Sequence, residues 1–328
     1  MLRPAYRLSI GTTTTDSTGD LAATVIRVDV EVDMEVPAGR LAVVLGNTDG
    51  LTVAEGDPVS VELGYADNGL SKVIEGTVVA LEPTISTYRI EGLSAMIRLL
   101  DLRLHQTYEK QTAGAIIADL AGQAGLATGE VQDGIEFPFY VVDDSKSAYE
   151  HARALAQKCG FDLYLDVDNN LIFKKYEQAG ADHTFEYGVN VISWEVRRQE
   201  PAYGRVEVWG ESPASSQGED TVSWLTKSPQ DFAGRAGSGE PLLLIRDRSI
   251  RTKAAADTYA QAALRQIERQ ALTGTLTVLG APQVKLGDAV EVTGMPQADV
   301  NGTYQVRGIR HRLSKTTGFV TTVDCMSP

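Results

Sequence analysis

The sequence predicts a β-rich α+β fold in which two antiparallel β-barrels flank a small α/β insert. Alternation of apolar and charged residues near the start of the chain predicts strands, because successive side chains on a strand point to opposite faces. Helical periodicity with capping signals then predicts the insert. Similar strand-turn motifs in the first and last thirds predict that both barrels share one design. We place the three units at residues 1–105, 106–190 and 191–328.

The first unit is predicted to be antiparallel β. From Ile26 to Val36 every second residue is apolar, and the residues between them are Arg27 followed by four acidic residues. This pattern predicts a strand of eleven residues with one buried and one wet face. A short helix over Leu93–Asp101 is expected to close the unit. Further strands are predicted at Leu41–Leu45, Val59–Tyr65, Val73–Leu81 and Thr87–Gly92.

Two helices are predicted in the insert. Thr112 is placed to cap a helix that ends at Gly125, since a threonine hydroxyl can accept a bond from a free backbone N–H of the first turn. Ser147 and Glu150 have the spacing of a capping box for a second helix, which ends at Gly160. A β-hairpin is expected directly after this helix.

The third unit is predicted to return to β structure, with a helix over Thr252–Gln270. Residues 210–241 are rich in Ser, Gly and Pro and have no period, so they predict a long loop. The strands of this unit are predicted at Val191–Arg197, Gly204–Trp209, Thr273–Leu279, Ala289–Thr293, Gly302–Gly308 and Phe319–Cys325.

An internal repeat links the first and third units. The stretch EGDPVSVELGYA (55–66) is similar to LGDAVEVTG (286–294), and each is followed by a second motif, EGTVVAL (75–81) or NGTYQVR (301–307). This alignment sets Gly76 against Gly302. Two matches in the same order favour two barrels of one ancestral type. Two unrelated hairpins with ordinary Gly-Asp turns remain the alternative.

Composition excludes several classes of protein. The 328 residues carry a net charge of −14, which argues against stable nucleic-acid binding, since that needs a basic surface. No run of about 18 apolar residues predicts a membrane span. The start of the chain has no apolar signal-peptide core, so we expect synthesis in the cytoplasm. Cys159 and Cys325 lie far apart and are expected to be reduced.

The sequence offers no catalytic, cofactor-binding or metal-binding residues. The four histidines lack the spacing of metal ligands. Asp166, Asp168, Asn170 and Glu177 imitate a calcium loop, but Leu171 occupies the position where that loop needs glycine, so a plain hairpin is expected. The three tryptophans, which are typical of core or interface packing rather than a sugar platform, are Trp194, Trp209 and Trp224.

Several stretches together resemble the late control protein D family of phages, the baseplate hubs of contractile tails. In residues 143–175 the resemblance lies in a Ser-led helix, Leu155-Ala156, Gly160-Phe161 and a strand pair ending in Leu171-x-Phe173. Residues 251–280, 282–294, 301–314 and 318–325 are similar to the closing part of that family. The resemblance covers about two-thirds of the chain and is weak over residues 1–100 and 210–241.

The resemblance implies a structural protein without enzymatic activity or cofactors. Hubs of this family are homotrimers whose chains each carry two tail-tube-like β-barrels. Three chains with two barrels each present six similar units, so the ring can join a six-fold tail tube on one rim to a three-fold spike on the other. The spike is expected to be a separate protein, and baseplate wedge proteins are further expected neighbours. Assembly is expected in the host cytoplasm, followed by incorporation into a virion or injection particle.

Two other functions remain open from the sequence. One is a tail-associated cell-wall hydrolase or carbohydrate-binding protein, and the other is the tail-tip hub of a non-contractile phage. For the acidic residues of the Ile26–Val36 strand, we hypothesise that they line the channel or the solvent side of a ring. A negative lumen would repel DNA phosphates.

Overall fold

The computed structural model describes residues 2–18, 24–46, 52–211 and 232–328. This part of the chain forms twenty-one strands and four α-helices, so the β-rich α+β class is confirmed. Thirteen strands form one large sheet, and eight form three small sheets beside the helices. No described helix is both long and apolar enough to cross a membrane.

The first half of the large sheet contains seven strands: β1 (Pro4–Ile10), β2 (Thr13–Asp16), β3 (Val25–Asp33), β4 (Arg40–Leu45), β5 (Pro58–Tyr65), β6 (Gly69–Pro83) and β7 (Tyr88–Leu93). Their spatial order is β2-β1-β5-β6-β7-β4-β3, and every neighbouring pair is antiparallel. Alternate side chains point into one core that contains Leu8, Val61 and Ile90.

The second half contains six strands: β13 (His183–Glu186), β14 (Val191–Arg198), β18 (Leu272–Leu279), β19 (Ala289–Thr293), β20 (Gly302–Ser314) and β21 (Gly318–Met326). Their order is β13-β19-β20-β21-β18-β14, in which only β13 and β19 are parallel. The core of this half contains Val290, Leu276 and Val323.

The strands of the two halves form open sheets. The path of paired strands runs from β14 to β2, and neither half closes on itself among the described residues. The prediction of two barrels is therefore confirmed only as two large antiparallel half-sheets.

The same turn introduces the matching strands β5 and β19. In the first half Gly56 donates to the carbonyl of Val78 at 2.9 Å, and Val78 donates back to Asp57 at 2.9 Å. In the second half Gly287, Val306 and Asp288 make the same two bonds at 3.0 and 2.9 Å. Gly56 and Gly287 have φ values of 92° and 86°, a backbone conformation that favours glycine.

The repeat continues in the next strands, with a register that differs from the sequence alignment. Thr77 lies opposite Pro58 and Gln305 lies opposite Ala289, so β6 and β20 correspond with a shift of two residues from the Gly76–Gly302 alignment. A shift of two keeps every side chain on its face, and hydrophobic patterning therefore could not detect it.

Each of these strands also contains a β-bulge at the same place. Val79 of β6 is the extra residue opposite β7, and Arg307 of β20 is the extra residue opposite β21. A second bulge pair lies at Ile26 in β3 and Ile192 in β14. These shared irregularities confirm the internal repeat.

An α/β layer packs beside the sheet: α1 (Ile97–Asp101), β8 (Gln106–Thr112), α2 (Ala113–Gln123), β9 (Thr128–Val131), β10 (Glu136–Val142), α3 (Ala148–Cys159), β11 (Asp162–Leu165), β12 (Leu171–Lys174), β15 (Arg205–Trp209), β16 (Ala233–Gly237), β17 (Leu242–Arg246) and α4 (Lys253–Arg269). Its single core mixes Ile117 and Leu155 with Val206 and Ala256. Order in space thus differs from order along the chain, and the unit boundaries at residues 105 and 190 stay a prediction.

The predicted helix caps of this layer are present. Thr112 Oγ1 accepts from Ala115 N–H at 3.2 Å at the start of α2. Ser147 and Glu150 form the full capping box of α3, and Gly160 ends that helix in the left-handed conformation. The expected hairpin is also present, because β11 pairs with β12.

Two predictions about individual segments were wrong. The strand predicted over Ile26–Val36 ends at Asp33, whose carboxylate accepts from Glu35 N–H at 2.6 Å in a turn. The bulge at its start leaves Ile26 39% exposed, so Ile26 does not join the buried face.

The second wrong prediction is the loop over residues 210–241. Residues 212–231 lie outside the described part, but Ala233–Gly237 form strand β16. A Cβ on Gly234 would lie 2.1 Å from the backbone of Ala256 in α4, so only glycine allows this strand to approach the helix. The small residues that suggested a loop are therefore required by packing.

Candidate assembly interface

The joint between the two half-sheets is a strand pair within the chain. β20 is long enough to continue past its own half, and Gly308–Ser314 pairs antiparallel with Asp33–Arg27 of β3. Leu313 and Phe319 of the second half are buried in the core of the first half. Val32 contacts both cores, so backbone pairing and shared packing together hold the halves in one sheet.

A group of charges built around the largely buried Arg307 and Asp162 ties this joint to the α/β layer. The bulge at Arg307 directs its side chain towards Asp162 of β11, with which it forms an ion pair, and towards Glu35 Oε1 at 2.8 Å. Arg153 of α3 binds the other oxygen of Glu35 at 2.7 Å. Gln305 donates to Asp162 at 2.6 Å. We call Glu35, Arg153, Asp162, Gln305 and Arg307 the central charge cluster.

The electrostatics of the central charge cluster follow from its geometry. Burial opposes the ionisation of Glu35, but hydrogen bonding and attraction by Arg307 and Arg153 outweigh this effect and lower its pKa. Arg307 is only 13% exposed, and two carboxylates compensate its desolvation. The cluster is thus a connection between three parts of the fold.

The acidic residues of β3 are matched by arginines of neighbouring strands. Asp29 pairs with Arg312 of β20 at 2.9 Å and also with Arg27. Glu31 lies opposite Arg40 on one side and opposite Arg310 on the other. Pairing with β4 and β20 therefore brings cations onto the same surface, and the placement of this face on a channel or on the solvent side of a ring stays a prediction.

The histidines lie in separate places. His311 is buried in the joint, where burial lowers its pKa to about 3, and its Nδ1 lies 2.9 Å from Thr321 Oγ1. His183 contacts Asp288 at 2.9 Å and His105 contacts Asp144 at 3.0 Å. His151 contacts the carbonyl of Asp143 at 3.1 Å.

The described residues contain no group of three or more His, Cys, Asp or Glu side chains that could hold a metal ion. In the segment that imitates a calcium loop, Asp166 accepts bonds from the backbone of Asp168 and Asn170 and so closes the hairpin turn. Asp168 pairs with Lys72 of the large sheet at 2.7 Å. These carboxylates serve the turn and the contact between layers.

The remaining candidate side chains have structural contacts. Trp194 donates to the carbonyl of Val300 and packs edge-on against Tyr304, and Trp209 donates to Glu207. Trp224 lies outside the described residues. Cys159 and Cys325 are free and buried, and burial raises the pKa of both thiols, that of Cys159 to about 11.

Two solved structures similar to this chain are tail proteins. A 43 kDa tail protein of prophage MuSo2 from Shewanella oneidensis is similar over 99% of this chain and 98% of its own, with a TM-score of 0.75 and 16% identity. A tail protein from Neisseria meningitidis MC58 gives 0.74 and 14%, over 99% and 97% of the two chains. The chain has the fold of phage tail proteins. The resemblance to the phage hub family is thus confirmed at the level of the fold.

A third similar structure comes from a secretion system. The c3393 protein of E. coli is described as a component of the type VI secretion system with structural similarity to the bacteriophage T4 tail proteins gp27 and gp5. It matches 98% of this chain and 76% of its own, with a TM-score of 0.62 and 10% identity. No protein-family model and no curated protein sequence matches the chain.

Sequence reasoning did not detect the central charge cluster. Its members come from four separate elements or turns, and no local spacing links Glu35, Asp162 and Arg307. The sequence alignment of the repeat sets Arg307 against the apolar Leu81, and this mismatch was the available signal for a special role of Arg307.

Proposed function

We propose that this chain is the structural baseplate hub of a contractile phage tail or a related contractile injection system. It acts without enzymatic activity as a trimeric symmetry adaptor between a six-fold tail tube and a three-fold spike. The observation that carries this proposal is the repeated half-sheet within a chain that has the fold of phage tail proteins over nearly its whole length.

Symmetry gives the repeat its function. A trimer with two similar half-sheets per chain presents six similar units to the tube, while its true symmetry remains three-fold for the spike. The strand order β1-β5-β6-β7-β4-β3 in one half and β13-β19-β20-β21-β18-β14 in the other supports this equivalence. In the assembled ring, half-sheets that are open in one chain complete a tube-like wall.

The proposed partners are the tail-tube protein on one rim and a separate spike protein on the other, with baseplate wedge proteins outside the ring. The hub assembles in the host cytoplasm and becomes part of the particle. Charge-balanced strand faces such as that of Asp29 and Arg312 suit a wall that holds no polyanion tightly.

Light scattering on a sizing column tests the proposal first. We expect three chains of 35.3 kDa per particle, either for the chain alone or after addition of a spike protein from the same particle. The trimer should then bind tail-tube protein in a pull-down. A chain that stays monomeric with both partners present contradicts the proposal. Clearing of a peptidoglycan suspension by the purified chain would favour the hydrolase alternative.

A further inference from the structure

The internal repeat contains strands equivalent to β20 and β3, the two strands that form the joint, but these equivalent strands do not pair with each other in the described structure. The repeat makes Val79 equivalent to Arg307, so the edge of β6 after Val79 corresponds to the edge of β20 that pairs with β3. The bulges at Ile26 and Ile192 likewise make β14 equivalent to β3. One edge of each pair is used inside the chain, and in the described part of the chain the other has no strand partner.

Both open edges lie at the surface of the described structure. Among the described residues, Ala80–Pro83 pairs only with β7, and Val196–Gln199 pairs only with β18 and the residue just before its start, Ala271. An unpaired strand edge presents free N–H and C=O groups to another chain.

We infer that these two edges pair between neighbouring copies of the chain, Ala80–Pro83 of one copy with Val196–Gln199 of the next. The inference rests on the proposed ring of copies and gives its contact in residue detail. In the joint within the chain, Ile309 lies opposite Val32 and Arg310 opposite Glu31. The equivalent register between copies sets Leu81 opposite Arg198 and Glu82 opposite Arg197.

The hydrogen-bonding pattern of both edges suits this register. Thr84 N–H donates to the carbonyl of Thr87 at 2.7 Å, so the backbone groups of Thr84 point towards the partner strand. Backbone direction alternates along a strand, and the N–H and C=O of Leu81, three residues earlier, therefore point away from β7. Gln199 N–H donates to Ala271 at 2.9 Å, so the same groups of Arg198 point away from β18. Leu81 and Arg198 can therefore exchange both backbone bonds.

Charge is complementary at the neighbouring position. Glu82 and Arg197 are both exposed, and the register places them directly opposite each other. Within the chain the equivalent pair, Arg310 and Glu31, is also of opposite charge, with the signs exchanged. Opposite charges in such a pair stabilise a sheet, whereas like charges destabilise it.

Exposed apolar side chains extend the contact. Ile85 lies six residues after the bulge at Val79, and Leu313 lies six residues after the bulge at Arg307, so the two positions are equivalent. Leu313 is 8% exposed and lies in the core of the adjoining half, whereas Ile85 is fully exposed. At the start of β14, a patch of exposed apolar residues lies where a neighbouring hairpin tip would arrive. Its members are Tyr187, Val189, Ile192 and Leu279.

The contact is head-to-tail, because one copy supplies β6 and the next supplies β14. In a dimer formed by this contact, one β6 edge and one β14 edge remain unpaired. Further copies can add to these edges until the chain of copies closes into a ring. First and second halves then alternate around that ring.

Cysteine cross-linking tests the register. The full chain with Glu82→Cys and Arg197→Cys should form disulfide-linked oligomers, because opposed residues of an antiparallel pair have Cα atoms within disulfide range. The matched control carries Glu75→Cys with Arg197→Cys, since Glu75 lies on β6 where that strand already pairs with β5. We expect the linked species to be lost in this control and in both single variants.

A charge exchange gives an independent readout. Glu82→Arg and Arg197→Glu should each lower the oligomer fraction on a sizing column, and the double variant should recover it. An oligomer of wild-type mass without the 82–197 cross-link overturns this pairing but leaves the hub proposal standing. Cross-linked rings that bind neither tail-tube nor spike protein support the pairing and contradict the hub proposal. A chain that neither cross-links nor oligomerises contradicts both.

Discussion

The two half-sheets share a scaffold but differ at their equivalent bulges. Val79 in the first half is 40% exposed, whereas Arg307 in the second half is buried in the central charge cluster. The backbone irregularity is the same in both, so it belongs to the repeated architecture. The side chain placed on it decides whether that half is bound to the α/β layer.

The halves also differ in the length of their hairpins. β20 continues for seven residues beyond its bulge and reaches β3, whereas β6 continues for four. The longer hairpin pairs with β3 within the chain, whereas the end of the shorter one has no second strand neighbour among the residues described. A small difference in loop position thus separates the contact that builds the chain from the contact that we propose between chains.

The largest effect is expected from making the second bulge resemble the first. Arg307→Val removes the cation that Asp162 and Glu35 share. It leaves the buried Asp162 carboxylate without its cation, whereas the half-exposed Glu35 keeps its ion pair with Arg153. Loss of one member of a buried ion pair costs about 3–5 kcal/mol. Urea unfolding followed by circular dichroism should show this decrease in the free energy of unfolding.

The matched control for this prediction is Val79→Thr, which changes the equivalent exposed position. It should alter the free energy of unfolding by about 0.5 kcal/mol or less. Equal losses in the two variants would mean that the central charge cluster contributes no special stability.

A second comparison uses the repeated turn. Gly56→Ala places a Cβ in open space and adds only the backbone strain of a positive φ, about 1–2 kcal/mol. Gly287→Ala adds a clash, because the new Cβ would lie 2.8 Å from the Tyr164 hydroxyl of the α/β layer. The midpoint of urea unfolding should fall further for Gly287→Ala, and the reverse order would contradict the packing described at this turn.

A third prediction concerns the pH dependence of the free energy of unfolding, to which the buried His311 of the joint contributes. Burial lowers the pKa of this imidazole from its ordinary value of 6.5 to about 3 in the folded chain, so the unfolded chain binds a proton that the folded chain excludes. Stability from this group is complete above pH 6.5 and is lost as the pH falls towards 3, by up to about 1.4 kcal/mol per pH unit.

Unfolding measured between pH 7 and pH 5 tests this prediction. His311→Gln removes the titrating group, and the decline of its free energy of unfolding with falling pH should be less steep than that of the wild type. Parallel pH profiles for the two proteins would assign the decline to other groups.

The smallest effect is expected at the surface of the joint. Arg312 is 59% exposed, and its pair with Asp29 should contribute less than about 1 kcal/mol. Arg312→Ala should therefore unfold at nearly the wild-type urea concentration. A loss as large as that of Arg307→Val would show that surface charges, rather than strand pairing and packing, hold the halves together.

Much of the local structure was predictable because its causes are local. The caps at Thr112 and Ser147 depend on neighbours within three residues, and β19 was predicted with its observed bounds, Ala289–Thr293. Strand β16 was missed since its composition reflects contact with α4, which lies about twenty residues further along the chain. The length of β20 was underestimated because its second part is stabilised by β3.

The sequence by itself determined the β-rich α+β class, the helix caps and the repeat, since periodicity, capping spacing and turn chemistry are written in adjacent residues. It also suggested the resemblance to phage hubs, which the fold then matched. Only the tertiary structure decided the register of the repeat, the joint of β20 with β3, the balanced charge of that face and the buried place of Arg307. These features depend on which distant strands become neighbours. The alternation along one strand determines its two faces but does not identify the strand that lies beside it.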